Sequence, residues 1–372
     1  MAVNAPTDRF NVLLGYLRAD PDNAALLADA AMAGAVAGAA ETACDLFARL
    51  GRARSLTAVE QGAFGRALMT CNRMTDAAAA LDAARAAHPD DPALRFNHAW
   101  AMASCGRQEA ALTLLDDATT AALPQAATLK VQLLHAQGAF EEAMDAAKAF
   151  AREFKHPDLD AAMSVLALDL EDVALAEASA RAAGDHPDAL TSLAMLSLRA
   201  GRNVEADTLF ARALADGGER RPRAWIGSGL SAMSQGAFDR AATELTHGAR
   251  QFGDHLGSWI AAAWAQILRR DLAAAKTCLD EAMAHDRNFA EIHGTLAVIA
   301  ALENRTPEAE AAAATASRLD PESFSAAFAR MLLLQTRGKP DQAQALFERA
   351  IATPINADGE TIAKALVRVG LR

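Results

Sequence analysis

Small residues recur along this chain at a nearly constant interval. Ten alanines fall into register, each five positions after a glycine or another turn residue, and they are separated by 34, 34, 32, 33, 30, 35, 34, 34 and 34 residues. A period of this length is typical of stacked copies of one supersecondary unit and not of one large globular core. The ten alanines are Ala43, Ala77, Ala111, Ala143, Ala176, Ala206, Ala241, Ala275, Ala309 and Ala343.

Each register alanine begins an apolar stripe, because small or apolar residues follow it four and seven positions later. Ala241, Leu245 and Gly248 are one example. This spacing is one face of a helix. A second amphipathic run of about fourteen residues precedes each stripe, so every repeat is predicted to hold two helices. Turn residues separate the two runs, at Gly38, Asn72, Gly106, Gly138, Gly201, Gly236, Arg270, Asn304 and Gly338.

The fifth repeat departs most from this pattern, because its turn, Asp169-Leu170-Glu171-Asp172, holds no glycine and the repeat is short. The composition nevertheless favours helices throughout. The chain is 52% hydrophobic but only 5% aromatic, and it uses alanine heavily. Alanine is the best helix former, and the β-branched and aromatic runs that strands need are scarce. The sequence therefore predicts an all-α protein.

This layout resembles the tetratricopeptide repeat (TPR) family. The segment Arg223–Arg250 carries the family's pattern of Trp, Gly and Gly-x-x-x-x-Ala as Trp225, Gly229, Gly236 and Ala241. The resemblance extends over about residues 24–352. It implies a right-handed superhelical solenoid of about ten helix-turn-helix units.

The ends of such an array need caps that cover the last apolar faces. Residues 1–23 are predicted to hold an N-terminal capping helix, with Phe10 and Leu17 on the stripe of Asp8–Arg18. Residues 24–352 are predicted to form the array of about ten units. Residues 353–372 are predicted to hold a C-terminal capping helix within Gly359–Val369.

Charge argues against a nucleic-acid partner. The net charge is −11, and residues 1–186 contribute −10 of it. An acidic half repels phosphate and attracts basic partners, although solvated helix faces can also be acidic without any partner. The N-terminal sequence shows no secretory signal, and no apolar run is long enough to span a membrane. We therefore expect a cytoplasmic protein.

The four cysteines are predicted to be free thiols. Cys44, Cys71, Cys105 and Cys278 form no C-x-x-C pair, so they are not spaced as a zinc site requires. Cys71 and Cys105 occupy equivalent places in adjacent repeats. Stacking would hold them about 10 Å apart, beyond the Cα separation of a disulfide.

No motif points to catalysis or to a cofactor. The chain holds no phosphate-binding glycine loop, no H-E-x-x-H and no G-x-S-x-G. Gly227-Ser228-Gly229 lies inside a helical repeat, where Gly229 is expected to let two helices approach. The paired carboxylates Asp116 and Asp117 are expected on a solvated helix face. The sequence therefore predicts no catalytic residue, no metal site and no cofactor site.

The TPR resemblance implies that the first helix of each repeat lines a concave groove. Trp100 and Trp264 fall at groove-facing places, whereas Trp225 and Trp259 fall at the family's packing place. An exposed Trp in a groove is a binding anchor, but superhelical curvature could instead let neighbouring repeats cover it. The predicted groove residues are Phe96, Asn97, Trp100, Gln132, His135, Met195, Arg199, Arg223, Ile226, Leu230, Met233, Ile260, Trp264, Ile267, Phe328 and Leu332.

The predicted function is a non-enzymatic scaffold or adaptor that binds an extended or amphipathic peptide segment in this groove. The alternative is a dedicated chaperone or regulatory subunit for one enzyme or one secreted substrate. Either function requires a protein or peptide partner, and the sequence leaves the oligomeric state open. TPR proteins that hold chaperone tails grip the terminal carboxylate with Lys and Asn. Asn97 matches one such place, but the lysines are missing.

Overall fold

The computed structural model describes residues 5–215 and 220–352, and all regular secondary structure in these ranges is α-helical. The predicted all-α fold is confirmed. The predicted C-terminal capping helix lies outside the described residues. The helices of the N-terminal unit (Met1–Leu170) are α1 (Ala5–Ala19), α2 (Ala24–Val36), α3 (Ala40–Ala53), α4 (Ala58–Thr70), α5 (Met74–Ala87), α6 (Pro92–Ser104), α7 (Gln108–Leu114), α8 (Asp117–Ala122), α9 (Pro124–Ala136), α10 (Phe140–Glu153) and α11 (Pro157–Asp169).

The C-terminal unit (Glu171–Arg372) is the second compact part of the chain. The division falls in the fifth repeat, between α11 and the first helix of the second unit. The described helices of this unit are α12 (Val173–Ala183), α13 (Pro187–Arg199), α14 (Asn203–Ala213), α15 (Pro222–Ser234), α16 (Phe238–Phe252), α17 (Leu256–Leu268), α18 (Leu272–His285), α19 (Ala290–Leu302), α20 (Thr306–Leu319), α21 (Phe324–Thr336) and α22 (Pro340–Ala352).

Helices pack on their neighbours in the chain in each unit. In the N-terminal unit α4 contacts α3 and α5, and it also contacts α2 and α6, the first helices of the adjacent repeats. In the C-terminal unit α17 contacts α16 and α18, as well as α15 and α19. Such nearest-neighbour contacts are the mark of a repeat array, in which each repeat completes the core of the next one.

A left-handed backbone residue stands at the turn of every repeat. The nine predicted turn residues all have positive φ, from Gly38 at 79° to Asn72 at 57°. The glycine-free fifth turn has the same conformation, because Glu171 has a φ of 59°. Ala176 follows Glu171 by five residues, so the fifth repeat keeps the register of the other nine.

The register alanines form the innermost layer of the core. All ten are at most 1% exposed. In six repeats the position four residues later holds one of the largest fully buried side chains: Phe47, Leu81, Leu115, Phe210, Leu245 and Leu279. A methyl group at the first position lets the paired helix approach, and the larger side chain then fills the space one turn further on.

The third repeat differs from the prediction. The stripe of Ala111, Leu115 and Ala118 predicts one continuous second helix, but the chain breaks between α7 and α8. Asp116 begins α8 as its N-cap, since its carboxylate accepts a hydrogen bond from the Thr119 backbone N–H at 2.9 Å. Its other oxygen lies 2.7 Å from an Nη of Arg95. This N-cap bond and ion pair favour a new helix start, and Ala118 is exposed.

Helix α1 packs on α2 at the beginning of the array. Phe10 and Leu17 are each 6% exposed. A Cβ added to Gly34 would lie 2.8 Å from the Phe10 ring. Gly34 on α2 therefore lets this ring lie directly against the helix.

A buried carboxylate organises the start of α4. Glu60 accepts hydrogen bonds from the Thr57 backbone N–H at 2.7 Å and from both Nη atoms of Arg54, at 2.6 and 2.8 Å. The pKa of Glu60 is lowered to about 2, mainly because Arg54 donates these hydrogen bonds to the carboxylate. The Thr57 hydroxyl oxygen in turn accepts a hydrogen bond from the Glu60 backbone N–H at 3.3 Å, which completes a capping box.

Candidate functional site

The predicted groove residues all lie on first helices, and most of them reach the surface. Of the sixteen, only Ile267 is buried, at 8% exposure. Trp100, Gln132 and Arg223 are exposed, and the remaining twelve are half-buried. Five of them belong to the N-terminal unit and eleven to the C-terminal unit. Ring contacts join Phe96 to Trp100 in the first unit and Trp264 to Phe328 in the second.

Exposed Trp100 and half-buried Phe96 form an aromatic pair on α6 in the N-terminal unit. Trp100 is 47% exposed, the largest such fraction among the described tryptophans. Its ring meets Phe96 edge-on, with centroids 5.6 Å apart and planes at 81°. The two residues are four apart on one helix, which places their side chains on the same face.

Phe96 fixes this pair to the core. It packs on a buried cluster that α6, α7 and α9 contribute, which includes Ala99, Ala111 and Leu133. The Trp100 ring is therefore supported by Phe96 while 47% of the residue stays exposed. An indole held in this way loses little conformational freedom when a partner covers it.

His135 on α9 is already engaged. Its Nε2 lies 2.7 Å from the Asp169 carboxylate at the end of α11, one repeat later. Its ring centroid also lies 5.5 Å from that of Phe140. These contacts hold the imidazole in place, so it links two repeats of the N-terminal unit.

An aromatic cluster occupies the first helices of the C-terminal unit. The Trp264 ring on α17 contacts Phe328 on α21, with centroids 5.4 Å apart, and lies 6.2 Å from Phe324. Helix α19, which belongs to the repeat between them, packs on both α17 and α21. Trp264 is therefore partly covered by the repeat two places further on, whereas Trp100 is open.

The sequence did not single out Phe324, although it lies four residues before Phe328 and shares its helix face. Together Trp264, Phe324 and Phe328 form a half-buried apolar surface with Leu332 beside it on α21. This surface is less accessible than the Trp100 pair.

Two predicted groove residues serve helix packing. A Cβ added to Gly227 would lie 3.0 Å from the Met195 sulfur, and one added to Gly248 would lie 2.8 Å from the Ile226 Cδ1. Met195 therefore packs between α13 and α15, and Ile226 packs between α15 and α16. Because Gly227 and Gly248 have no side chains, they leave the space that Met195 and Ile226 occupy.

The two tryptophans predicted at the packing place differ from each other. Trp259 is 4% exposed, and its indole N–H donates to the Gly253 carbonyl at 2.6 Å. Trp225 is only half-buried and packs edge-on against His247, with centroids 4.7 Å apart. The prediction that Trp225 belongs to the packed core is therefore wrong in degree.

The Gly-Ser-Gly fragment on α15 is a packing element. A Cβ at Gly229 would lie 2.6 Å from the Leu245 Cγ and 3.0 Å from the Leu245 backbone N, so this glycine does let α15 and α16 approach. Ser228 is 8% exposed and hydrogen-bonds Glu244, whose pKa is raised by burial. Within residues 5–215 and 220–352, no three His, Cys, Asp or Glu side chains cluster as metal ligands would.

Comparison with known proteins agrees with this architecture. The family model for the tetratricopeptide repeat matches residues 63–127 and 191–250. Together with the ten-repeat register, this match identifies the chain as a tetratricopeptide repeat protein. Such proteins are generally non-catalytic protein–protein interaction scaffolds. No curated protein sequence matches the chain.

Solved structures share the fold at low sequence identity. A chain of the APC/C hetero-tetramer Cut9–Hcn1 superposes with a TM-score of 0.59 at 12% identity, covering 88% of this chain and 63% of that one. The human IFIT1 dimer with m7Gppp-AAAA gives 0.52 at 12% identity, with coverages of 88% and 89%. At this identity the similarity concerns the fold alone. No helix in the described part of this chain has the length and apolar character needed to cross a bilayer.

Proposed function

We propose that this chain is a non-enzymatic, cytoplasmic scaffold that binds an extended or amphipathic peptide segment along the first helices of its N-terminal unit. The observation that carries the proposal is the 47% exposed Trp100, supported from beneath by Phe96. Large rings that are rigid and accessible in a free protein are the side chains that anchor protein interfaces. A soluble domain gains nothing in stability from leaving an indole in water.

The charge of the chain suggests the composition of the segment. The first half of the sequence carries −10 of the net −11 charges. A partner with an apolar side chain to cover the indole and with basic residues around it would match both properties. The same charge opposes a phosphate backbone, so we propose a peptide and not a nucleic acid as the ligand.

A displayed library of 15-residue peptides is the probe that tests this proposal. Peptides selected on the whole chain are labelled, and their affinity is measured by fluorescence anisotropy for the native chain and for Trp100→Ala. We expect the substitution to weaken binding about 30-fold, which corresponds to about 2 kcal/mol for a central aromatic anchor. A Trp100→Ala chain that binds the peptides unchanged would contradict the proposal.

Val204→Ala is the matched control. Val204 is 80% exposed on α14, a second helix, so its removal also deletes exposed apolar surface but spares the first helices. We expect it to leave the affinity unchanged. A capped single-stranded RNA is the second probe, because IFIT1 has been solved with m7Gppp-AAAA. RNA binding that is stronger than peptide binding would contradict the ligand class.

Affinity purification of the whole chain from its native cells separates a general scaffold from a dedicated chaperone or regulatory subunit. Several proteins that are lost together in the Trp100→Ala chain indicate a scaffold. One stoichiometric protein indicates a dedicated subunit. Mass spectrometry of the bound proteins distinguishes the two results.

A further inference from the structure

Two cysteines that the sequence does not pair are in contact in the N-terminal unit. The Cys44 and Cys71 sulfur atoms lie 3.9 Å apart, with the Cys44 thiol as the hydrogen-bond donor. Cys44 is on α3 in the first repeat, and Cys71 is the C-cap of α4 in the second repeat. The repeat register aligns Cys71 with Cys105 and gives no reason to pair Cys44 with either of them. All four cysteines are free in this structure.

We propose that Cys44 and Cys71 form a thiol–disulfide exchange site, which takes a small disulfide such as oxidised glutathione and closes to a reversible bridge between α3 and the end of α4. Closure brings the sulfur atoms from 3.9 Å to the length of a disulfide bond, about 2.05 Å. Cys71 ends its helix, so it can move without breaking the hydrogen bonds of a helix interior.

The two thiols differ in access, which assigns their roles. Cys71 is half-buried and can meet a small disulfide, whereas Cys44 is 3% exposed and cannot. Burial is the main cause that raises the pKa of the Cys44 thiol to about 12. Cys44 therefore stays protonated and donates its hydrogen bond to the Cys71 sulfur. The accessible Cys71 is the thiol that meets the small disulfide first.

Arg73, at the beginning of α5, interacts electrostatically with both thiols, and its guanidinium is itself held by Asp76 at 2.6 Å. Cys105 is also half-buried, but its sulfur contacts the Thr75 hydroxyl at 3.6 Å and not a second thiol.

The exchange proceeds in two balanced steps. Cys71 gives its proton to water, and its sulfur attacks one sulfur of oxidised glutathione, breaks the S–S bond, forms a mixed disulfide and releases the first glutathione as a thiolate. That thiolate takes the proton of Cys44 as the Cys44 sulfur attacks the Cys71 sulfur and displaces the second glutathione as a thiolate, which takes a proton from water. Two electrons pass from the protein thiols to the small disulfide, and two glutathione thiols leave.

Peptide mapping of the whole folded chain tests the proposal. The reduced chain is incubated with oxidised glutathione, the free thiols are alkylated, and the digest is analysed without reduction. We expect one cross-linked species, Cys44 with Cys71, which has lost two hydrogen atoms and which dithiothreitol reverses. The same incubation in urea should give a mixture of pairings, because only the fold selects this pair.

Single substitutions separate the roles of the cysteines. Cys44→Ser should leave glutathione attached to Cys71, because the second attack is lost, and Cys71→Ser should leave Cys44 unmodified. Cys105→Ser is the matched control and should still form the bridge. Far-UV circular dichroism checks that each variant is folded. A native chain that shows only glutathione adducts, or a bridge from Cys71 to Cys105, would overturn the proposal.

Discussion

Gly294 on α19 marks a very close helix approach in the C-terminal unit. A Cβ at this position would lie 2.7 Å from the Ala326 backbone N, 2.7 Å from the Ser325 Cβ and 3.0 Å from the Ser323 Oγ. The backbone N belongs to α21 and cannot turn away as a side-chain end can. Gly294→Ala should therefore push α21 away from α19.

The expected loss follows from two opposing contributions. Replacing a helical glycine by alanine gains about 1 kcal/mol of helix propensity. Overpacking against a rigid neighbour costs about 1–3 kcal/mol. Moving α21 also strains the hydrogen bonds from the Ser325 backbone N–H and hydroxyl to Glu291, worth about 1–2 kcal/mol together. We expect a net destabilisation of about 1–4 kcal/mol for Gly294→Ala.

Amide hydrogen exchange measured by mass spectrometry is the assay, because a repeat array need not unfold in one step. Protection should fall in α19 and α21 and stay unchanged in α2–α5. Gly51→Ala is the matched control: this glycine lies in α3, and beyond its chain neighbours and the backbone of its own helix no atom lies within 4 Å of its Cβ position. It should gain about 0.5–1 kcal/mol. If both substitutions stabilise the chain, the close approach of α19 and α21 is not rigid and the reasoning fails.

Three other predictions concern packing, acid stability and the helix break. In urea unfolding, Trp259→Ala should cost about 3–5 kcal/mol and half-buried Trp225→Ala clearly less, and equal losses would contradict the burial difference. Glu60 stabilises the fold above its unfolded pKa of 4.5, and this stabilisation is lost as the pH falls towards about 2. Glu60→Gln should therefore flatten the acid limb of a stability–pH curve, and an unchanged limb would refute the pairing. Asp116→Ala should cost about 1–2 kcal/mol and expose α8 to exchange, whereas its neighbour Asp117→Ala should change neither.

The sequence alone determined the repeat register, the ten turns and the innermost core layer. The reason is that these features are local: a turn residue and an alanine five positions later belong to one helical hairpin. The positive φ of Asn72 and the full burial of Ala77 follow from the same short segment. Even the glycine-free fifth turn obeys this rule, since Glu171 takes the place of glycine.

Only the tertiary structure decided which rings are covered and which thiols meet. Trp100 and Trp264 occupy the same place in their repeats. Phe328, from two repeats later, partly covers the Trp264 ring, whereas Trp100 stays 47% exposed. Cys44 and Cys71 occupy different places and still touch. Such contacts depend on how closely successive helices approach, and that distance is set by the small side chains at each interface, such as Gly294. No periodicity within one repeat encodes it.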